Sequence, residues 1–166
     1  MISFLRGIIA SKSENGAVID VGGVGFFVNM PSSDIAKLGE AGENVTVNTY
    51  FQIRDEEPQM YGFLASDEMS YFNKLISISG IGPKAALAIL GTLSVEDLAF
   101  AIISEDVKAI TRAPGVGTKM AQRVILELKG KIDTQEAIGR GSSSAQNIPL
   151  GGVRADTGAV NALIAL

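Results

Sequence analysis

The chain contains no cysteine and no histidine. Without cysteine, disulfides and thiolate metal sites are excluded. Without histidine, the commonest general base and metal ligand is missing too. Aromatic residues are scarce, at 6%. A base-flipping pocket needs stacking surfaces and a catalytic aspartate or lysine, and the stretch from Met120 to Lys131 offers no well-placed aspartate. Long uncharged apolar runs are also lacking. The apolar stretches are short and interrupted by charge, so neither a signal peptide nor a membrane span is expected, and a cytoplasmic location is the default.

An excess of positive charge is the last absence. The net charge is −4, which argues against a simple basic DNA binder. The acidity is uneven, however. Residues 1–63 carry four basic and eight acidic side chains, whereas residues 64–132 carry eight and seven. Backbone amides in the second region could bind phosphate without raising the charge count. The chain has 166 residues, 46% of them hydrophobic. That is enough for one or two domains with real cores.

The chain does contain two glycine hairpins at a constant offset. Ser79-Gly80-Ile81-Gly82-Pro83-Lys84 and Pro114-Gly115-Val116-Gly117-Thr118-Lys119 each lie between helical stretches. Gly80 corresponds to Gly115, Gly82 to Gly117, Lys84 to Lys119 and Ala86 to Ala121. Glycine lets the backbone turn sharply and approach a ligand closely. Ile81 and Val116 are expected to point inward and pin each turn. Pro83 suits a first helical turn, where its missing N–H costs nothing. The unpaired amides of that turn would face outward with partial positive charge, a ready phosphate site. Lys84 and Lys119 add full charges, and Arg123 shares a helix face with Lys119. A lone Gly-x-Gly before a helix is more often only a tight connection. Two copies in the same context, each followed by lysine, read as a tandem helix-hairpin-helix that grips DNA backbone. A nucleotide-binding loop would need Gly-Lys-Ser/Thr after a longer glycine loop, and a strand leading in. Neither is present, so ATP binding is rejected.

The first 63 residues alternate as strands. Val45, Val47, Thr49, Phe51 and Ile53 are assigned to one face and Thr46, Asn48, Tyr50, Gln52 and Arg54 to the other. Asn15-Gly16 marks a hairpin turn, and Gly22-Gly23 with Gly25 permits a bend or bulge. A short helix at 33–38 and strands at 44–53 and 59–64 complete five strands and a helix, a small closed barrel of the OB type. From Ser66 the period turns helical, with five or six short helices expected from 67 to 131. Ser66, Ser94 and Ser104 are the expected helix openers, and Met69, Phe72 and Ile76 form one apolar face. The fold class is therefore a five-stranded barrel (1–63) followed by an all-α tandem helix-hairpin-helix domain (64–132). A glycine- and serine-rich linker (133–152) follows. An incomplete helical domain (153–166) comes last, its apolar pattern stopping at Leu166; either further chain is expected after Leu166 or this end docks onto another surface.

Asp55, Glu56 and Glu57 fall between two strands, just before Pro58. Alone they read as a solvated hairpin tip. In a DNA-binding protein they would repel phosphate where strands must be kept apart. A Mg²⁺ nuclease site is the alternative, but such sites draw carboxylates from several elements, and no lysine or histidine lies nearby in sequence.

The barrel opening Met1-Ile2, the acidic turn followed by Tyr61-Gly62-Phe63, and the tandem hairpins resemble the bacterial RuvA family over about residues 1–132. These are the Holliday-junction-binding subunits of the RuvAB branch-migration complex. The resemblance implies a non-catalytic, cofactor-free subunit acting in recombination, DNA repair and the SOS response. It implies a homotetramer, or an octamer on DNA, holding a four-way junction open and nearly square-planar. Gly80, Gly82, Lys84, Gly115, Gly117, Lys119 and Arg123 match the backbone-gripping motif. Asp55 and Glu56 match the acidic pin at the junction centre, with Glu57 an additional carboxylate. The partners implied are junction DNA, the hexameric ATPase RuvB, which binds a C-terminal three-helix domain, and the resolvase RuvC of the same pathway. Thr118 departs from a proline or lysine at the second helix start, with a modest loss of local charge expected. The third domain breaks off after about one helix; if Leu166 is the true end, junction binding is expected to survive better than motor coupling. A glycosylase or nuclease bearing hairpins, and a protein-binding barrel in which Lys84 and Lys119 have no purpose, are the competing readings.

Overall fold

The computed structural model describes residues 2–54 and 56–130. Its elements run β1 (Phe4–Ser13), β2 (Gly16–Val21), β3 (Val24–Asn29), α1 (Ser32–Lys37), β4 (Asn44–Arg54), β5 (Glu57–Phe63), α2 (Ser66–Ile76), α3 (Pro83–Thr92), α4 (Val95–Ile103), α5 (Val107–Thr111) and α6 (Thr118–Lys129). The strands close into a barrel in the order β1-β2-β3-β5-β4. All neighbours are antiparallel except β3 and β5, which meet in parallel at Asn29 and Tyr61. The expected five-stranded barrel and the five helices after it are both present.

Local chemistry sets the turns. Gly22 and Gly23 have φ of 63° and 90° and join Val21 to its partner Val24. That is the two-residue hairpin in which both central residues need positive φ. Of the expected bend or bulge it is the bend, and Gly25 is an ordinary strand residue opposite Asp20. The first turn also shifts by one residue. Gly16 pairs with Ser13 at the start of β2, leaving Glu14 and Asn15 as the loop.

The barrel interior holds Leu5, Ile9, Ile19, Val28, Val47 and Met60, all buried. Gly62 faces this interior. A β-carbon there would stand 2.3 Å from Val28 and 2.5 Å from Val47, so packing admits glycine only. Alternation along β4 holds at Val47 and Thr49 but fails at Ile53, which is 69% exposed. The reason is topological. β1 pairs with β4 only over Asn44–Asn48, so the rest of β4 pairs with β5 alone and leaves the barrel as a two-stranded ribbon.

The outer face of the barrel is where the helices dock. Tyr61 and Phe63 of β5 belong to the same buried cluster as Leu75, Ile89, Leu98 and Val124 from the helices. Phe72 of α2 lies with its ring centroid 4.9 Å from Phe63, 5.3 Å from Tyr61 and 5.5 Å from Tyr50. These tilted and edge-on aromatic contacts add directional preference to apolar burial. On the other side, α1 abuts α3. The Ser32 and Ser33 hydroxyls donate to the carbonyls of Gly91 and Leu90 near the α3 C-terminus, satisfying groups the helix leaves open. The outer face of β5 and the helices thus share one core, distinct from the barrel interior, and this packing fixes β5 relative to the hairpins.

Two helix openers differ from expectation. Ala65, not Ser66, is the N-cap of α2, and the Glu68 carboxylate accepts from its N–H at 3.4 Å. Ser104 closes α4, its hydroxyl donating to the Phe100 carbonyl, while Asp106 caps α5 by accepting from the Ala109 N–H. Ser94 caps α4 as expected, accepting from the Asp97 N–H at 3.0 Å. No single helix among the described residues is long and apolar enough to cross a membrane.

Candidate nucleic-acid interface

The two hairpins have the same geometry. Gly80 and Gly115 have φ of 89° and 78°. Each is the third residue of a turn closed by a backbone bond. Ile81 N–H donates to the Ile78 carbonyl at 3.0 Å, and Val116 N–H to the Ala113 carbonyl at 3.1 Å. Positive φ at that position is the requirement of a type II turn, and it calls for glycine. Ile81 and Val116 are each 5% exposed, so they pin the turns inward as expected. Ala86 and Ala121 are fully buried one turn later, and their N–H groups bond back to the Gly82 and Gly117 carbonyls.

The second glycine of each pair has a different reason to be there. Gly82 and Gly117 are the N-caps of α3 and α6, with φ of −90° and −84°. Any residue adopts those angles. A β-carbon on either would meet nothing within 4 Å. Neither backbone strain nor internal packing explains glycine at these two positions. Glycine is a favoured N-cap residue, and its missing side chain also leaves the helix start unobstructed from outside. Neither N-cap supplies a side-chain hydrogen bond to its helix. The first-turn amides therefore remain open, with the positive end of each helix dipole behind them.

Lys84, Lys119 and Arg123 are exposed. None of the three forms an ion pair among the described residues. Lys84 and Lys119 each follow their N-cap by two residues, one on each hairpin. Arg123 has a placement that helix periodicity did not reveal. Its guanidinium reaches across to the first hairpin and lies 3.6 Å from the position a Gly80 β-carbon would take. A cation carried by the helix of the second hairpin thus lies beside the turn of the first.

The acidic turn sits at the tip of the β4–β5 ribbon. Arg54 pairs with Glu57, so Glu57 is the first residue of β5 rather than part of the loop. Glu56 has φ of 66°, a left-handed backbone unusual for a side chain of its size. Glu56 and Glu57 are exposed, and Asp55 lies outside the described residues. Among the described residues no cluster of acidic or other ligating side chains could hold a metal ion.

A second polar cluster carried no sequence signal. Asp34 of α1 is fully buried. Its carboxylate accepts from the Leu64 N–H at 2.9 Å and pairs with Lys37 at 3.3 Å. Glu68 of α2 lies against both, 3.5 Å from Lys37. Burial, followed by the hydrogen bond and charge of Asp34, pushes Glu68 up to about 7, with Lys37 and the Ala65 N–H opposing. The cluster ties barrel to helices at the point where the chain passes between them.

A closed five-stranded barrel with a projecting acidic ribbon, packed on two equivalent hairpins, places the chain among DNA-binding proteins of the tandem helix-hairpin-helix class. Residues 1–62 match the family described as the RuvA N terminal domain, and residues 72–131 match the SAM-like helix-hairpin-helix tandem. The chain is 44% identical to the Holliday junction branch migration complex subunit RuvA of Methylibium petroleiphilum, covering 88% of this chain and 78% of the relative. It is 40% identical to the subunit of the same name from Acetivibrio thermocellus, over 82% and 67% of the two chains. To that of Pseudomonas fluorescens SBW25 it is 35% identical, over 100% and 84%. The chain belongs to the RuvA family.

Proposed function

We propose that this chain is a non-catalytic subunit that binds a four-way DNA junction as a homotetramer and holds it open in near square-planar form. Each subunit grips the backbone of one arm through its two hairpins. The amides after Gly82 and Gly117 take phosphate oxygens, and Lys84, Lys119 and Arg123 neutralise charge around them. The contacts carry no base information, so selectivity comes from the shape of the junction. The Asp55-Glu56 tips meet at the centre, where they repel phosphate and keep separating strands apart. Branch migration is driven by a hexameric ATPase, RuvB, with which this subunit couples, and the resolvase RuvC acts on the same junction.

The observation that supports this reading best is the equivalence of the hairpins together with the unobstructed N-cap glycines at 82 and 117. A gel-shift titration at fixed, stated salt tests it, comparing a synthetic four-way junction with linear duplex of the same sequences. Strong preference for the junction is expected. Equal binding would reduce the protein to a general duplex clamp, and no binding to either would overturn the DNA reading.

A further inference from the structure

A groove of about 480 Å³ separates the β4–β5 ribbon from the hairpin helices. It is lined by Gln59 and Tyr61 of β5, by Lys84 and Leu87 of α3, and by Pro114, the first residue of the second hairpin. It therefore lies beside the backbone grip, with Lys84 of the first hairpin on one wall and Gln59, two residues after the acidic turn's Glu57, on the other. We propose that this groove receives a nucleotide of a junction strand that has left its duplex at the crossover, and holds it beside the first hairpin. The inference rests on the junction-binding reading above.

The lining fits a single unpaired nucleotide. Its volume lies in the roughly 300–1,000 Å³ range of pockets that enclose small organic ligands, and a duplex is far too wide to enter. Asn15, in the β1–β2 turn, and Gln59 carry side-chain amides that both donate and accept, as base edges require. Leu87 and Ala88 supply an apolar wall for the flat face of a base. Lys84 provides the cation for its phosphate. Glu14, beside Asn15, also lines the groove, and its carboxylate disfavours phosphate there, which leaves the Lys84 side for the backbone. The neighbouring Asn29 is already engaged, its amide donating to the Met60 carbonyl at 3.0 Å, so that wall is held in place.

The test uses the full chain with a photoreactive benzoylphenylalanine in place of Gln59, and separately in place of Asn15 as a second probe should the first substitution disturb folding. Each is bound to an immobile four-way junction, with complex formation confirmed by gel shift before irradiation. The expected crosslinks fall on nucleotides adjacent to the crossover. A second arm compares a fully paired junction with one carrying two unpaired nucleotides at the crossover. The unpaired junction should bind several-fold more tightly, and the advantage should vanish in Asn15→Ala/Gln59→Ala. Crosslinks confined to the duplex arms, or to a second copy of the chain, would overturn the proposal while leaving junction binding intact. Loss of junction preference in the unsubstituted chain would instead remove the reading on which it rests.

Discussion

The guanidinium of Arg123, on the helix that follows the second hairpin, lies against Gly80 in the first, 3.6 Å from where a β-carbon would stand. The two hairpins are thus coupled through one side chain, although 43 positions separate these residues in sequence. A phosphate held at the first hairpin would sit beside a cation delivered by the second.

Substituting Lys119 and Arg123 together by alanine is expected to weaken junction binding and reduce the slope of log K against log salt by about two charges. Arg123→Ala alone should cost more than Lys119→Ala, because it removes charge near both turns. A series of titrations between low and moderate salt would read this. An unchanged slope would show that these side chains do not touch phosphate.

The four hairpin glycines should separate into two classes. Gly80→Ala and Gly115→Ala force a β-carbon into left-handed backbone and should cost about 1–2 kcal/mol of stability each. Gly82→Ala and Gly117→Ala sit at ordinary angles with open space around them; the entropy gained in the unfolded chain and the poorer capping by alanine oppose each other, so stability should change by less than about 1 kcal/mol. Their effect should appear in DNA affinity instead. Thermal unfolding and gel shifts on the same four proteins would decide. Equal loss of stability in all four would mean that the N-cap glycines serve the fold.

Neutralising the tip as Asp55→Asn/Glu56→Gln should leave junction affinity intact or increased while altering migration. The left-handed backbone at Glu56 adds an independent check. Glu56→Gly should raise stability by up to about 1 kcal/mol through relief of backbone strain, whereas Glu56→Gln should not. Marked loss of binding in the neutral double variant would exclude a repulsive role for the tip.

The Asp34–Lys37–Glu68 cluster predicts a pH dependence of stability. Glu68 binds its proton more tightly in the folded chain than when unfolded, since burial and Asp34 raise it to about 7. Stability should therefore fall as pH climbs from the ordinary carboxylate range through about 7, and level off above it. Glu68→Gln should flatten that part of the curve, matching the unsubstituted chain near pH 5 and equalling or exceeding it near pH 8. Melting curves across that range provide the measurement. Identical slopes in the two proteins would show that Glu68 does not titrate there.

Packing inside the barrel gives one further expectation. Gly62→Ala places a methyl 2.3 Å from Val28 and 2.5 Å from Val47, an overpacked core position that should cost about 1–3 kcal/mol. Denaturant unfolding would measure it, and a neutral result would mean the barrel can open locally.

The sequence by itself determined everything that depends on short-range pattern. The barrel strands were legible from period-two alternation, and the hairpins from two glycine motifs at one offset. Ser94 was legible as a cap because a side chain three residues from its target needs no other part of the fold. Where two local solutions compete, the pattern was insufficient. Ser66 and Ala65, or Ser104 and Asp106, differ by a residue or two, and packing of the whole helix sets which one caps it. Ile53 obeys alternation and is nonetheless exposed, because β1 ends before reaching it. Only the tertiary structure decided which residues from distant elements meet. Phe72 against Tyr50, Tyr61 and Phe63, Asp34 against Glu68, Arg123 against Gly80, and the groove from Gln59 to Lys84 all arise from docking helices on the outside of a barrel. Such contacts depend on how two surfaces fit in three dimensions, and that information is spread over the whole core rather than written at the residues that touch.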